Sequence, residues 1–331
     1  MSNALVVGGA GYIGSVTAAL LAEQGWTVTV LDDLSTGHQA AIPPNARWLN
    51  VDIRDRKALL HAVEQVRPDC TLHFAARTLV GESFPKASEY FDVNVGGTTA
   101  LLHTLIQCGF PRIVFSSSCT VYGEPDNLPI DEEAPVKPAV SPYGQTKQMN
   151  ESSLAWLNKH NGLSYCSLRY FNAAGAWGNL GEDHRPESHL IPLCIDAAMS
   201  LRPPLKLFGV DYPTPDGTCV RDYIHIADLA QAHIAACHWL LQNQQGSSLV
   251  CNLGTGTGHS NLEVIRAVER AAGSRVPYNI VDRRPGDPPA LVAANEKARR
   301  TLNWTPKFAD LDVIAAHAWK WRTMFPKGYP Q

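Results

Sequence analysis

The sequence predicts an α/β fold: a parallel sheet with helices on both faces, followed by a smaller α/β region built on longer loops. Three observations predict it. Short apolar runs of strand length alternate with amphipathic runs of helical length as far as Phe171, the pattern of successive βαβ units. A cluster of glycines separates the first apolar run from the first helix. After Phe171 the texture changes to segments rich in Gly, Pro and polar residues, such as NAAGAWGNLGEDHRPESH and GVDYPTPDGTCVRDY. Loops of that length in a compact chain usually carry function.

In order, ALVVG (4–8) reads as a buried strand, YIGSVTAALLAEQG (12–25) as a helix closed by Gly25, and TVTVLDD (27–33) as the next strand. The same alternation then gives strand RWLNVDI, helix RKALLHAVEQV, strand CTLHFAA and a long helix from about Ser88 to Cys108. Strand RIVFSSS, a helix around GQTKQMNESSLAWLNKH and strand YCSLRYF complete the first part. Later, ADLAQAHIAACHWLLQNQ and SSLVCNLG predict one more helix and strand, expected to return to the first sheet.

A chain of 331 residues is long enough for one large domain or two smaller ones. Its net charge of -3 gives no reason to expect a nucleic-acid partner. Eight cysteines are scattered and never form C-x-x-C, so neither a disulfide framework nor a zinc site is expected. The N-terminus lacks a basic segment followed by an apolar one, and no long uninterrupted apolar run occurs. The expectation is a soluble, cytoplasmic protein without a membrane partner.

Gly8, Gly9, Gly11 and Gly14 lie between the first strand and the first helix, with Asp32 and Asp33 at the end of the second strand. Glycines there allow a tight turn and close approach of the backbone to a pyrophosphate, which faces the helix N-terminus. An acid at the second strand end accepts from ribose hydroxyls and repels a 2′-phosphate, favouring NAD over NADP. In this context the glycines predict a Rossmann-type dinucleotide site. Asp52, after the third strand, is expected near the adenine, although a helix cap has the same appearance in sequence. The nucleotide-binding part is expected to span 1–172 with 220–254 returning to it; 173–219 and 255–331 would build a pocket over it.

Tyr143 precedes Lys147 by four positions, just after Pro142, so on a helix the two side chains share a face. A surface helix with an incidental lysine has the same spacing. Beside a dinucleotide site, however, an ammonium and a positive nicotinamide both favour the phenolate, making Tyr143 a general base. Ser118 ends the strand before that helix and is placed to reach the same substrate hydroxyl. The loop GEDHRPESH offers His184, His189 and carboxylates, but their spacing matches no zinc signature, and the expectation is no metal.

The segments GGAGYIGS, DIRD, HFAA, VGES, NVGGT, SSSCTVYG, SPYGQTK, RYFNAAGA, HLIP, GVDYPTPDGTCVRDYIHIADLA, NLGTG, RRPGDP and LNW stand in the order found in UDP-galactose (UDP-glucose) 4-epimerases. The chain resembles these extended short-chain dehydrogenase/reductases from about Ala4 to Pro330. The resemblance implies that Tyr143 removes the sugar O4 proton while C4 hydride passes to NAD. Lys147 would bind the nicotinamide ribose and tune Tyr143, and Ser118 would share the bond to O4. The cofactor would be held by Gly8, Gly11, Tyr12, Ile13, Gly14, Asp32, Asp33, Asp52, Ile53, Phe74, Ala75, Ala76, Asn94, Ser116 and Tyr170, with Tyr143 and Lys147. The UDP-sugar would be held by Arg221 and Arg284 on the diphosphate, with Asn172, His189, Leu190, Phe208, Asp287 and Leu291 around it. Pairing through the helices near Tyr90 and Trp156 into a homodimeric helical bundle is implied as well.

Three positions depart from the best-known members. Thr78, beside Arg77, stands where many carry a lysine; His189 stands where others have asparagine; Leu291 lies at the sugar gate, between a tyrosine and a small residue in size. Leu291 keeps open a 4-epimerase of another UDP-sugar, an N-acetylhexosamine or a pentose. A 4,6-dehydratase is less expected, because the tract Ser118-Cys119-Thr120 lacks an Asp-Glu pair. A non-catalytic NAD-sensing protein is less expected because both Tyr143 and Lys147 are present.

Overall fold

The computed structural model describes residues 2–284 and 287–330. Its first sheet is built from β1 (Asn3–Val7), β2 (Thr27–Leu31), β3 (Arg47–Leu49), β4 (Cys70–His73), β5 (Arg112–Ser118), β6 (Ser164–Tyr170) and β10 (Ser248–Leu253), in the order β10-β6-β5-β4-β1-β2-β3. Every pairing in it is parallel. Alternation along β1 sorts side chains between two cores: Ala4 and Val6 join one, Leu5 and Val7 the other. A sheet buried on both faces explains why its strands read as continuous apolar runs.

Helices α1 (Tyr12–Glu23) and α8 (Ile226–Gln242) cover one face, contributing Val16, Leu20, Leu229 and Ile234 to the first core. On the other face lie α2 (Arg56–Val66), the short α3 (Val80–Ser83) and α4 (Ala87–Tyr90), α5 (Thr98–Gln107) and α6 (Pro142–Asn161). Asp55 caps α2 by accepting from Lys57 and Ala58 N–H groups; Ser141 caps α6 with Pro142 at its first turn.

The helix expected from Ser88 to Cys108 is broken in kind: a π-helical stretch, Phe91–Gly97, separates α4 from α5. Gly97 sits where a Cβ would lie 2.5 Å from Ile53 Cγ1, so the stretch presses against the loop after β3. A π stretch of this sort often accompanies a functional site.

The second region contains β7 (Asn172–Ala174), α7 (Leu190–Ala198), β8 (Leu205–Phe208), β9 (Val220–His225), β11 (Gly258–Ser260), α9 (Asn261–Ala272), β12 (Tyr278–Val281), β13 (Ala290–Leu291) and α11 (Leu311–Met324), while α10 (Glu296–Leu302) lies against α8 and β10. β9 is central to a small sheet, flanked by β7, β11 and β13, and β12 pairs with β8. A separate core gathers α7, α9 and α11 around Ile191, Val264 and Ile314. Val220–His225, expected within the stretch returning to the first sheet, therefore belongs to the second one; α8 and β10 of that stretch return, and α10 with Trp304 packs on the same first core. The strand order reverses between β4 and β2 around β1, and at such a switch point the carboxyl ends of the strands open a crevice.

Candidate active site

At that crevice the chain leaves β1 through Gly8, whose φ is +81° and where a Cβ would lie 2.7 Å from Ala75 Cα. A Cβ at Gly14 would lie 2.9 Å from Gly9 Cα. Gly11 starts α1 with no side-chain cap, so the first N–H groups of the helix, at Tyr12 and Ile13, have no capping side chain. Asp32, at the end of β2, accepts from Ala10 N–H and Leu34 N–H, each at 2.9 Å. Burial raises its pKa, and these two backbone donors oppose the rise. An uncapped helix start, a turn that tolerates no side chain and a strand-end carboxylate fit a dinucleotide with a free ribose 2′-hydroxyl. Asp33 accepts from Ser35 N–H at the rim.

Several expected cofactor residues are occupied by protein partners. Asp52 is no helix cap, a role Asp55 fills; its carboxylate is clasped by Arg54 through Nε, a terminal nitrogen and the backbone N–H. Ile53 is core on its side-chain side, which leaves its backbone for a ligand. Asn94 accepts from Arg77 N–H and donates to Arg77 O and Thr146 Oγ1, so its amide positions the loop after β4. Arg77 does not replace the missing lysine, because its guanidinium pairs with Glu89 at 3.0 Å and Glu82 at 3.8 Å. Thr78 beside it is exposed. Phe74 packs on His233 with ring centroids 4.8 Å apart, and Ala75 and Ala76 follow it, half-buried, past the end of β4.

Helix α6 and the end of β5 bring the three candidate catalytic residues together. Lys147 Nζ donates to Ser116 O at 2.7 Å and lies 5.7 Å from the Tyr143 ring centroid. Burial lowers its pKa to about 8, while the Glu151 carboxylate pulls the other way. Tyr143 is raised well above an ordinary phenol, first by burial and then by Tyr170, and a hydrogen bond from Ser118 opposes the rise. The lysine is not among its causes: the ammonium is turned to the Ser116 carbonyl. A positive nicotinamide ring bound beside Tyr143 would favour its phenolate against that burial. Ser118 Oγ accepts from Thr120 N–H and Thr120 Oγ1, which leaves its own proton to donate. Ser116 Oγ and Tyr170 OH share a 2.6 Å bond.

Behind these groups lies a network that the sequence did not announce. Glu151 accepts from Ser117 Oγ at 2.6 Å, Ser167 Oγ at 2.8 Å and Arg169, whose NH2 approaches to 2.6 Å. Arg169 also donates to Tyr122 OH, which donates to Asn252 Oδ1. The only signal was spacing: Tyr143, Lys147 and Glu151 fall at successive four-residue steps on one helix face.

On the substrate side, Arg221 on β9 and Leu291 on β13 are register partners. Arg221 donates to Val220 O and Pro288 O and faces Asp287 at 3.8 Å. It is near enough to oppose the burial-driven rise of Cys119, next to Ser118. Leu291 packs on the cluster of Cys119, Tyr122 and Phe171, which places the expected gate residue against the end of β5. The Arg284 guanidinium lies 4.5 Å from the Phe208 ring centroid, so these two expected contacts share one place. Pro285 and Gly286 of the RRPGDP segment lie outside the described residues. Asn172 opens β7 and Leu190 opens α7. His189 departs from expectation: its Nδ1 lies 2.5 Å from Glu182 Oε1, leaving only Nε2 for a diphosphate.

Residues 4–254 match the NAD dependent epimerase/dehydratase family. The chain is 44% identical over 330 residues to a UDP-glucose 4-epimerase of Streptococcus mutans, covering 98% of each chain. It is 46% identical over 327 residues to one of Halalkalibacterium halodurans, covering 98% of this chain and 97% of that one. Among solved structures, UDP-glucose 4-epimerase from Brucella ovis in complex with NAD superposes with a TM-score of 0.93 at 45% identity, over 97% and 98% of the two chains. The Stenotrophomonas maltophila UDP-glucose 4-epimerase with bound NAD and formylated UDP-arabinopyranose gives a TM-score of 0.94 at 40% identity, over 99% of each chain. With its glycine turn, strand-end aspartate and Tyr143–Lys147 pair at the carboxyl ends of a parallel sheet, this chain belongs to the NAD dependent epimerase/dehydratase family.

Proposed function

We propose that this protein is an NAD-dependent epimerase that inverts C4 of a UDP-hexose, interconverting UDP-glucose and UDP-galactose through a 4-keto sugar. The observation that carries this is the meeting of Tyr143, Lys147 and the donating Ser118 hydroxyl at the end of β5, between the glycine turn and the Arg221–Leu291 pair. Bound NAD supplies the hydride acceptor and donor at C4, so the turnover is redox-neutral.

Tyr143 takes the O4 proton and Ser118 donates to the same oxygen, steadying it as it becomes a carbonyl. Lys147 keeps a positive charge behind the phenol. Arg221 and Arg284 hold the diphosphate through charge-assisted bonds, so the keto sugar turns about its link to a fixed anchor. Tyr143 then returns the proton to O4 in the inverted configuration. Glycine turn, Asp32, Ser116, Tyr170 and the Asn94-held loop hold the cofactor throughout.

Exposed Phe84, Met149 and Trp156, the last 61% exposed, lie on or beside α6 and support a homodimer through the helices near Tyr90 and Trp156. All eight cysteines are free, which supports a reducing, cytoplasmic setting; among the described residues no helix is long and apolar enough to cross a membrane. Incubating the purified protein with UDP-galactose, without added NAD, tests the activity: UDP-glucose in the NMR spectrum is the expected result. No product even after NAD is supplied would refute it.

A further inference from the structure

The loop between β7 and α7 holds two Glu-x-His pairs, Glu182/His184 and Glu187/His189. Within each pair the histidine follows the glutamate by two residues. The loop folds the two pairs together so that one donor atom from each of the four residues lies within 4.8 Å of every other. Linear spacing gave no hint of this, because the two halves meet through a bend at Arg185 and Pro186 rather than along a helix or a ribbon.

Three of the converging atoms, Glu182 Oε1, His184 Nδ1 and His189 Nδ1, are buried and lack a hydrogen bond of acceptable geometry. Glu182 itself is only 8% exposed. Buried carboxylate and imidazole atoms normally find hydrogen-bond partners; these three face only one another, in close imidazole–carboxylate contacts without hydrogen-bond geometry, an arrangement that an ion at their common point would satisfy. The separations suit an ion. Ligand bonds of about 2.0–2.1 Å at tetrahedral angles put donor atoms roughly 3.4 Å apart. Here His184 Nδ1 is 3.2 Å from Glu182 Oε1 and 3.6 Å from Glu187 Oε2. His189 Nδ1 is 3.5 Å from Glu187 Oε1. His189 Nδ1 and Glu182 Oε1, 2.5 Å apart, would open on an ion, and Glu187 faces the two histidines with different oxygens.

We propose that Glu182, His184, Glu187 and His189 form a structural site for a divalent transition-metal ion, zinc by the chemistry of its donors. Two imidazoles and two carboxylates make a closed N2O2 set that suits Zn²⁺, and its two carboxylates balance the ion's charge. The surroundings assign it a bracing role. Next to the ligands, Asp183 accepts from Tyr329 N–H and pairs with Arg185, and Gly181 N–H donates to Tyr329 OH. The Tyr12 ring, on the glycine turn, meets His184 edge-on at 6.2 Å. His189 directly precedes α7. An ion here would tie the first turn of α7 to the C-terminal segment and to the glycine turn. It would also fix His189 with Nδ1 on the metal and the proton on Nε2, a donor facing away from the ion.

Metal analysis of untagged protein, stripped with chelator, reloaded with Zn²⁺ and dialysed, tests this apart from any epimerase assay. One zinc per chain is expected, lost in Glu182→Gln and in His184→Ala, with chelator lowering Tm in the parent protein alone. Should the variants not fold, the parent protein decides by itself. Co²⁺ loading should give intense visible d–d bands of a four-coordinate site, and X-ray absorption at the zinc edge should show imidazole and oxygen ligands without sulfur. No bound metal, zinc retained equally in both folded variants, or sulfur coordination would overturn the proposal. The first outcome would leave the cluster a network of imidazolium–carboxylate pairs.

Discussion

Replacing Glu151 by glutamine probes the coupling between the buried network and Lys147, the lysine of the proposed catalytic pair. Glu151 and Arg169 have side chains 13% and 8% exposed, so solvent screens the pair little. Removing one member of a buried pair costs about 3–5 kcal/mol, since the partner charge stays buried. Glutamine keeps one carbonyl acceptor for Arg169, which puts the expectation near the low end, about 3 kcal/mol. Urea unfolding with a shared slope for both proteins measures it.

The same substitution has an electrostatic readout. Glu151 opposes the burial that lowers Lys147 to about 8; without its charge the lysine loses its proton at lower pH. A limb of activity that needs the ammonium is present below the lysine pKa and lost as pH rises through it. The alkaline limb of kcat should therefore move to lower pH in Glu151→Gln, while the acid limb stays. A stability loss under about 1 kcal/mol, at the level of a surface pair, together with an unmoved alkaline limb, would refute the coupling.

Other consequences follow from the same geometry. Tyr143→Phe should lower kcat by about 10²–10⁴-fold, the usual worth of a positioned acid–base group, with UDP binding by calorimetry unchanged; wild-type turnover would exclude Tyr143 as the base. Gly14→Ala places a methyl 2.9 Å from Gly9 Cα and should yield protein with little co-purified NAD, measured by release on denaturation. Leu291→Ala should raise kcat/KM for UDP-N-acetylglucosamine relative to UDP-glucose. Its stability cost should be at the low end for a core leucine, about 2 kcal/mol, because the residue is half-buried. An unchanged ratio would remove Leu291 from the sugar gate.

The β/α alternation was legible because strands buried on both faces must be continuously apolar, and the glycine turn because its backbone has no room for side chains. Tyr143 and Lys147 were legible as a pair because helical spacing alone puts them on one face. Groups whose partners are distant in sequence were not. The bonds that join Asn94 to Arg77 and to Thr146 are an example, since nothing in the linear spacing announces them. Val220–His225 has the composition of a strand of either sheet, and only its neighbours β7, β11 and β13 decide which. The role of Glu151 on α6 was not legible because Arg169 lies on β6, later in the chain. At Tyr143 proximity to a lysine was visible in the sequence, while the depth of its burial was not.

The central claim is that hydride leaves C4 and returns to the same carbon without exchanging with water. UDP-galactose carrying deuterium at C4, turned over in ordinary water to equilibrium, tests it most directly by NMR and mass spectrometry of the UDP-glucose formed. Full retention of deuterium at C4 is the predicted result. Loss of the label to solvent would mean inversion by proton abstraction from carbon, and would contradict the roles assigned to Tyr143, Lys147 and the dinucleotide site.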